Sequence, residues 1–224
     1  MKFDVDLRPL LSPIEHQKFL PTCTANAVIG CVEFHRRADK DRHEYSRLFL
    51  NWCGKSLERT EKDANAGLSV SACFRALEMF GVCRESRWPY KNHRVTTKPS
   101  SRAFWAAERL LGIRYSQVPM TLDGMRSCLA RQLPFVLAFV RYKFQTITPE
   151  GEFLLGSGII GSHAVMVVGY SDSIQKVLIR NSWGSAWGMQ GYGLLSYEYL
   201  RPELTDGWMA LEAIGRVVTP ERKG

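Results

Sequence analysis

The chain is poor in several signals that would narrow its function at once. None of its six cysteines falls in a CxxC or CxxH arrangement, which argues against a zinc site. No stretch approaches the ~18 consecutive apolar residues that cross a bilayer. The first residues, Met1-Lys2-Phe3-Asp4-Val5-Asp6, carry acids early and have no apolar h-region, so they do not read as a secretory signal. From these two absences the expectation is a protein that is cytoplasmic at synthesis, outside the membrane, with reduced cysteines, although signal-less export as an effector stays open. There is no repeat, no low-complexity tract and no long linker. The net charge is +8, but no run of five or six like charges exists: Asp39 and Asp41 interrupt Arg36-Arg37, Lys40 and Arg42. Scattered charge of this kind reads as a solvated surface, and no nucleic-acid partner is expected.

The 224 residues, 45% of them hydrophobic, are enough for one sizeable core. The chain changes character part-way. Cys23 to Arg37 places Ala27, Cys31 and Phe34 at helical spacing, Tyr45 to Leu57 repeats the pattern, and Leu68 to Phe80 does so until Gly81 stops it. Pro89 interrupts Trp88-Pro89-Tyr90. Shorter helical patterns cover Ser101 to Leu111 and Leu122 to Arg131. After Pro134 the pattern turns strand-like, in Phe135 to Val140, His163 to Tyr170, Val177 to Arg180 and Gly191 to Leu195. Helices first and strands later predicts an α+β fold with segregated lobes and a cleft between them. Cys31, Cys53, Cys73 and Cys128 lie in helical segments and read as reduced core residues. His16, His35, His43 and His93 read as solvated.

Three residues stand out against that background. Cys23 follows Thr22, a good N-cap, and so falls in the first turn of a helix, where the dipole favours a thiolate. His163, at a strand start in Ser162-His163-Ala164-Val165, is a candidate acid/base. Asn181, eighteen residues later in Asn181-Ser182-Trp183-Gly184, carries an amide oxygen that can orient an imidazole. A cysteine, a distant histidine and an orienting amide are the parts of thiol-based acyl transfer. An adjacent imidazolium would lower the thiol further. Trp183 can shield the His–Asn hydrogen bond. Gln17, six residues before Cys23, can fold back so that its amide and the Cys23 N–H receive an oxyanion.

These motifs resemble those of the papain-like cysteine peptidases, in particular the short bacterial-type members without a long prosegment. The likeness rests on Asp6-Leu7-Arg8-Pro9, on Gln17 with Cys23-Thr24-Ala25-Asn26-Ala27, and on Tyr45-Ser46-Arg47-Leu48-Phe49-Leu50. It continues through Gly81-Val82-Cys83-Arg84-Glu85, Trp88-Pro89-Tyr90, Ser162-His163-Ala164-Val165 with Gly169-Tyr170, and Asn181-Ser182-Trp183-Gly184 with Trp187-Gly188 and Gly191-Tyr192-Gly193. The resemblance implies a single two-lobed catalytic domain: residues 10–115 would form a mainly helical lobe, and 1–9 with 116–224 a mainly antiparallel β lobe. It implies hydrolysis of peptide bonds through a thioester, with Cys23 as nucleophile, His163 as acid/base, Asn181 orienting it and Gln17 completing the oxyanion hole. Gly67 would pair with substrate backbone, and Ser162 and Trp183 would border the substrate. No cofactor or metal is implied. The expected partners are a peptide or protein substrate and a possible protein regulator, with the chain acting as a monomer. Acyl transfer or amidase chemistry on the same fold, or a catalytically silent peptide-binding protein, are the alternatives. Leu20 stands where the family's disulfide cysteine usually sits, Pro21 replaces a glycine, Thr24 replaces a tryptophan and Ser162 replaces the usual glycine. The segment Arg141 to Gly161 is expected to be a loop that partly covers the cleft.

Overall fold

A computed structural model describes residues 2–38, 40–109 and 113–213. The elements, in chain order, are β1 (Val5–Asp6), α1 (Cys23–Ala38), α2 (Arg47–Glu58), α3 (Val70–Phe80), α4 (Ser101–Trp105), β2 (Ile113–Gln117), α5 (Leu122–Ala130), β3 (Phe135–Phe144), β4 (Glu152–Phe153), β5 (Ser157–Ser171), β6 (Lys176–Arg180), β7 (Tyr192–Ser196) and β8 (Thr205–Ala213), with short 3-10 turns between some of them. The α+β architecture expected from the sequence is present. Eight strands form one sheet in the order β2-β8-β3-β5-β6-β7-β4, and β1 pairs with β5. Every pairing is antiparallel except β4 with β7.

The helices follow their local signals. Ser46 and Ser69 cap α2 and α3, accepting from the N–H groups of Phe49 and Ala72 at 3.2 Å each. Gly81, with φ +69°, ends α3. α1 is buried on all sides from Thr24 to Glu33, as befits a helix running through the middle of a core. It packs against β5 and β3, so the start of α1 is pressed onto the strand that carries His163. Thr22 precedes α1 as expected, and its carbonyl accepts from the Asn26 N–H at 3.0 Å. Its hydroxyl is used otherwise, as described below.

Several expectations are corrected. α4 stops at Trp105, short of the predicted Leu111, and residues 110–111 lie outside the described ones. β3 and β5 are longer than their apolar runs, reaching Phe144 and starting at Ser157, so much of the segment 141–161 is a paired hairpin arm and not a loop. Continued pairing of Arg141 with Gly161 and of Phe144 with Ser157 supplies the hydrogen bonds that side-chain pattern alone does not announce. His35 is buried, with its ring edge-on to Phe34 at 5.5 Å, because α1 exposes so little of its surface. All six cysteines are free, and all except Cys23 are buried. No helix among the described residues is long and apolar enough to cross a membrane.

Candidate active site

Cys23, Gln17, Gly67, Ser162 and His163 line one cleft of ≈ 290 Å³, together with Lys18, Phe19, Leu20, Pro21, Thr24, Leu68, Ala138 and Ala164. Two parts of the chain meet here. The first turn of α1 and the segment before it bring Cys23 and Gln17, while β5 brings Ser162, His163 and Ala164. Among the described residues no group of three or more His, Cys, Asp or Glu side chains could hold a metal ion.

His163 and Asn181 are joined directly, with Nε2 of the imidazole 2.8 Å from Oδ1 of the amide. The amide's orientation follows from its other contact: the Ser182 N–H donates to the same Oδ1 at 2.8 Å, so the oxygen faces the ring. Nε2 therefore carries the proton, and Nδ1 is left as the basic nitrogen. Asn181 is held by the chain reversal after β6, where its N–H donates to the Gly191 carbonyl at 3.0 Å. Gly191 has φ +90°, and a side chain there would run into Ile14 at 2.5 Å. Around the imidazole stand Trp183, Phe139 and Phe153, at centroid distances of 4.8, 5.8 and 6.3 Å. Trp183 lies against the imidazole ring, as a shield for the His–Asn bond requires.

Gln17 is buried and held at four points. Its N–H donates to the Ser182 carbonyl at 2.7 Å, and its Oε1 accepts from the Ser182 hydroxyl at 2.5 Å. Its Nε2 donates to the Leu20 carbonyl at 2.8 Å, which uses one of two amide protons. Its carbonyl accepts from the Tyr90 hydroxyl at 2.9 Å. That hydroxyl is also 2.7 Å from Thr22 Oγ1, which in turn accepts from Asn26 Nδ2 at 3.1 Å. Since Tyr90 donates to Gln17, Thr22 must donate to Tyr90, and the chain Asn26–Thr22–Tyr90–Gln17 has one consistent direction. Tyr90 was legible only as part of a motif. Its role as a strut between Gln17 and the residue before Cys23 depends on a contact across 73 positions of sequence.

Burial dominates the site's electrostatics. It lifts the Cys23 thiol above its ordinary range, against the opposing pull of the Ala164 N–H and of groups at the helix start. Desolvation thus opposes the lowering expected from the helix N-terminus. Burial likewise pushes His163 down to about 4, opposed by the Asn181 hydrogen bond and assisted by the positive charge of Arg141. Both groups are held toward their neutral forms. Arg141, on β3, was not singled out in the sequence. Its guanidinium carbon lies 5.2 Å from the Phe153 ring centre and 5.4 Å from that of Trp183.

The pattern of the papain family cysteine proteases matches residues 2–201. Xylellain, a cysteine protease from Xylella fastidiosa, superposes with a TM-score of 0.85 at 30% identity, over 94% of this chain and 85% of that one. An uncharacterised peptidase C1-like protein of Acanthamoeba polyphaga mimivirus is 28% identical over 96% of this chain and 74% of its own length. Papain of Carica papaya is 26% identical over 81% of this chain, which spans 50% of papain's length. With a helical layer and a mainly antiparallel sheet meeting at a cysteine- and histidine-lined cleft, the chain belongs to the papain family of cysteine proteases.

Proposed function

We propose that this chain hydrolyses peptide bonds through a thioester formed on Cys23. The carrying observation is the His163–Asn181 hydrogen bond, which frees Nδ1 of an imidazole that shares a cleft with the thiol. In this reading His163 takes the Cys23 proton as Sγ attacks the substrate carbonyl. The oxyanion is received by the Cys23 N–H, at the start of α1, and by the second amide proton of Gln17. His163 then gives the proton to the leaving amine as the C–N bond breaks. Water, deprotonated by the same imidazole, cleaves the thioester, and the proton returns to Sγ as the acid product leaves. Asn181 keeps the ring in the required tautomer. Gly67 stands beside the cleft with open space where a side chain would be, which suits pairing with substrate backbone. Ser162 lies next to His163 on the opposite wall.

Burial favours the neutral thiol and the neutral imidazole before attack. Proton transfer and attack are coupled, and the thiolate is supported where it forms by the Ala164 and Thr24 N–H groups. Leu68, Ala138 and Ala164 make an apolar wall, which favours peptides with an apolar side chain on the acyl side.

The test is to incubate the protein, under reducing conditions, with a library of octapeptides and to identify products by mass spectrometry. Cleavage by the unaltered chain that disappears in both Cys23→Ala and His163→Ala, with an acyl adduct on Cys23 in rapid-quench samples, is the expected result. Cleavage that survives in Cys23→Ala would overturn the reading.

A further inference from the structure

Arg141 is a half-buried cation whose charge has no opposite beside it. Its Nε donates to Gln145 Oε1 at 2.6 Å, and Gln145 is itself fixed by its Nε2 bonds to the Leu154 carbonyl, at 3.1 Å, and to Tyr199. Burial lowers its proton affinity, opposed by the neighbouring Tyr199 phenol. Among the described residues no carboxylate lies within ion-pair distance of it. The faces of Phe153 and Trp183 hold the guanidinium in place without satisfying its terminal nitrogens. A desolvated arginine held this firmly is pre-organised for a carboxylate, which it can grip with two parallel N–H bonds.

Its position says which part of a substrate would supply that carboxylate. Along the β3–β5 pair the register runs from Ala138 opposite Ala164, through Phe139 opposite His163, to Arg141 opposite Gly161. Ala138, Ala164 and Leu68 belong to the wall beside Cys23. Arg141 stands beyond His163, three strand residues or about 10 Å from Ala138. It lies on the side of the imidazole covered by Trp183. His163 delivers its proton to the leaving amine, so the leaving half of the peptide extends toward this end.

We infer that Arg141 is a specificity-determining residue that selects substrates with a carboxylate in the first or second residue of the leaving peptide. The inference rests on the peptidase reading above. The carboxylate has two sources: an Asp or Glu side chain, or the terminal carboxyl group of a substrate cut close to its end.

The experiment uses quenched fluorogenic peptides with one acyl half and four leaving halves: a neutral Gly-Gly amide, a Glu-Gly amide, a Gly-Glu amide and Gly-Gly with a free carboxyl terminus. The readout is the ratio of kcat/KM for each charged peptide to that of the neutral amide, which does not depend on the active fraction. Unaltered protein should favour at least one carboxylate peptide about tenfold. Arg141→Met, which keeps an apolar stem against the rings, should bring that ratio to about one, and Arg141→Lys should fall between. A gain confined to the glutamyl amides assigns an acidic side chain, and a gain confined to the free terminus assigns carboxy-terminal trimming. A ratio of one in the unaltered protein, or a preference that persists in Arg141→Met, overturns the inference alone. No cleavage of any peptide by the unaltered protein overturns the peptidase reading and this inference with it.

Discussion

The two walls of the cleft are built on different principles. On the helical side, Gln17 and the residue before Cys23 are held by polar struts: Ser182 and Leu20 on Gln17, and the directed chain from Asn26 through Thr22 and Tyr90. On the sheet side, the His163 imidazole makes one hydrogen bond among the described residues, to Asn181, and has Phe139, Phe153 and Trp183 around it. Hydrogen bonds fix angles and donor directions, which suits groups that must meet an oxyanion. Aromatic packing fixes position and excludes water but leaves the proton inventory free, which suits a group that must gain and lose a proton. The difference also accounts for the low proton affinity of His163, since an apolar enclosure penalises the imidazolium.

The comparison breaks most visibly in stability. Phe139 is fully buried and touches the rings of His163, Phe153 and Tyr199. Phe139→Ala should cost about 3–5 kcal/mol in urea unfolding, whereas Tyr90→Phe, which removes one hydroxyl, should cost no more than about 1.5 kcal/mol. Equal losses would mean that the polar side carries as much of the fold as the aromatic one.

In activity the order reverses for the oxyanion step. Tyr90→Phe should lower kcat for peptide hydrolysis about tenfold, because the Gln17 segment loses its strut, while the rate of Cys23 alkylation by iodoacetamide stays within about twofold. Alkylation develops no oxyanion, so a parallel fall in both rates would show that Tyr90 acts on the thiol instead.

The aromatic enclosure can be read from pH. A His163 held at about 4 is neutral above that value and protonated below it, where it can no longer accept the Cys23 proton. The kcat/KM profile for an uncharged peptide should therefore stay flat on descending from neutrality and fall with a midpoint of about 4. A midpoint at the ordinary imidazole value of about 6.5 would show that the enclosure is looser than the structure has it.

The smallest expected effect is at Gly67. A Cβ there meets nothing within 4 Å and φ is not in the left-handed region, so Gly67→Ala should leave the melting temperature unchanged within about 1 °C. KM for peptides should nevertheless rise a few-fold as the methyl group meets substrate. An unchanged KM would remove Gly67 from the substrate path.

Much of this was legible beforehand where the signal is local. Gly81 ends its helix as expected, and α1, α2, α3 and α5 lie where apolar spacing put them, while the Ser46 and Ser69 caps emerge from the structure. β2 and β8 were not read. Their pairing joins residues as distant as Ile113 and Ala213, and neither segment alternates cleanly enough to announce a strand. The outer half of β5 was likewise missed, since Ser157, Gly158, Gly161 and Ser162 are poor strand formers and are ordered by their pairing with β3. His35 was misread because a polar neighbourhood in sequence says little about a helix buried on nearly every side.

The sequence by itself determined the chemical inventory: a thiol at a helix start, an imidazole on a strand, an amide after the next strand, and the motifs that mark the family. These are matters of residue type and short-range order, which local propensity controls. Only the tertiary structure decided the working state of that inventory. Burial opposes the expected lowering of the thiol, Tyr90 became a strut because it reaches Gln17 and Thr22 across the chain, and Arg141 lies, among the described residues, against rings and beside no carboxylate. Solvation and charge pairing depend on what surrounds a group in three dimensions, and no local pattern carries that information.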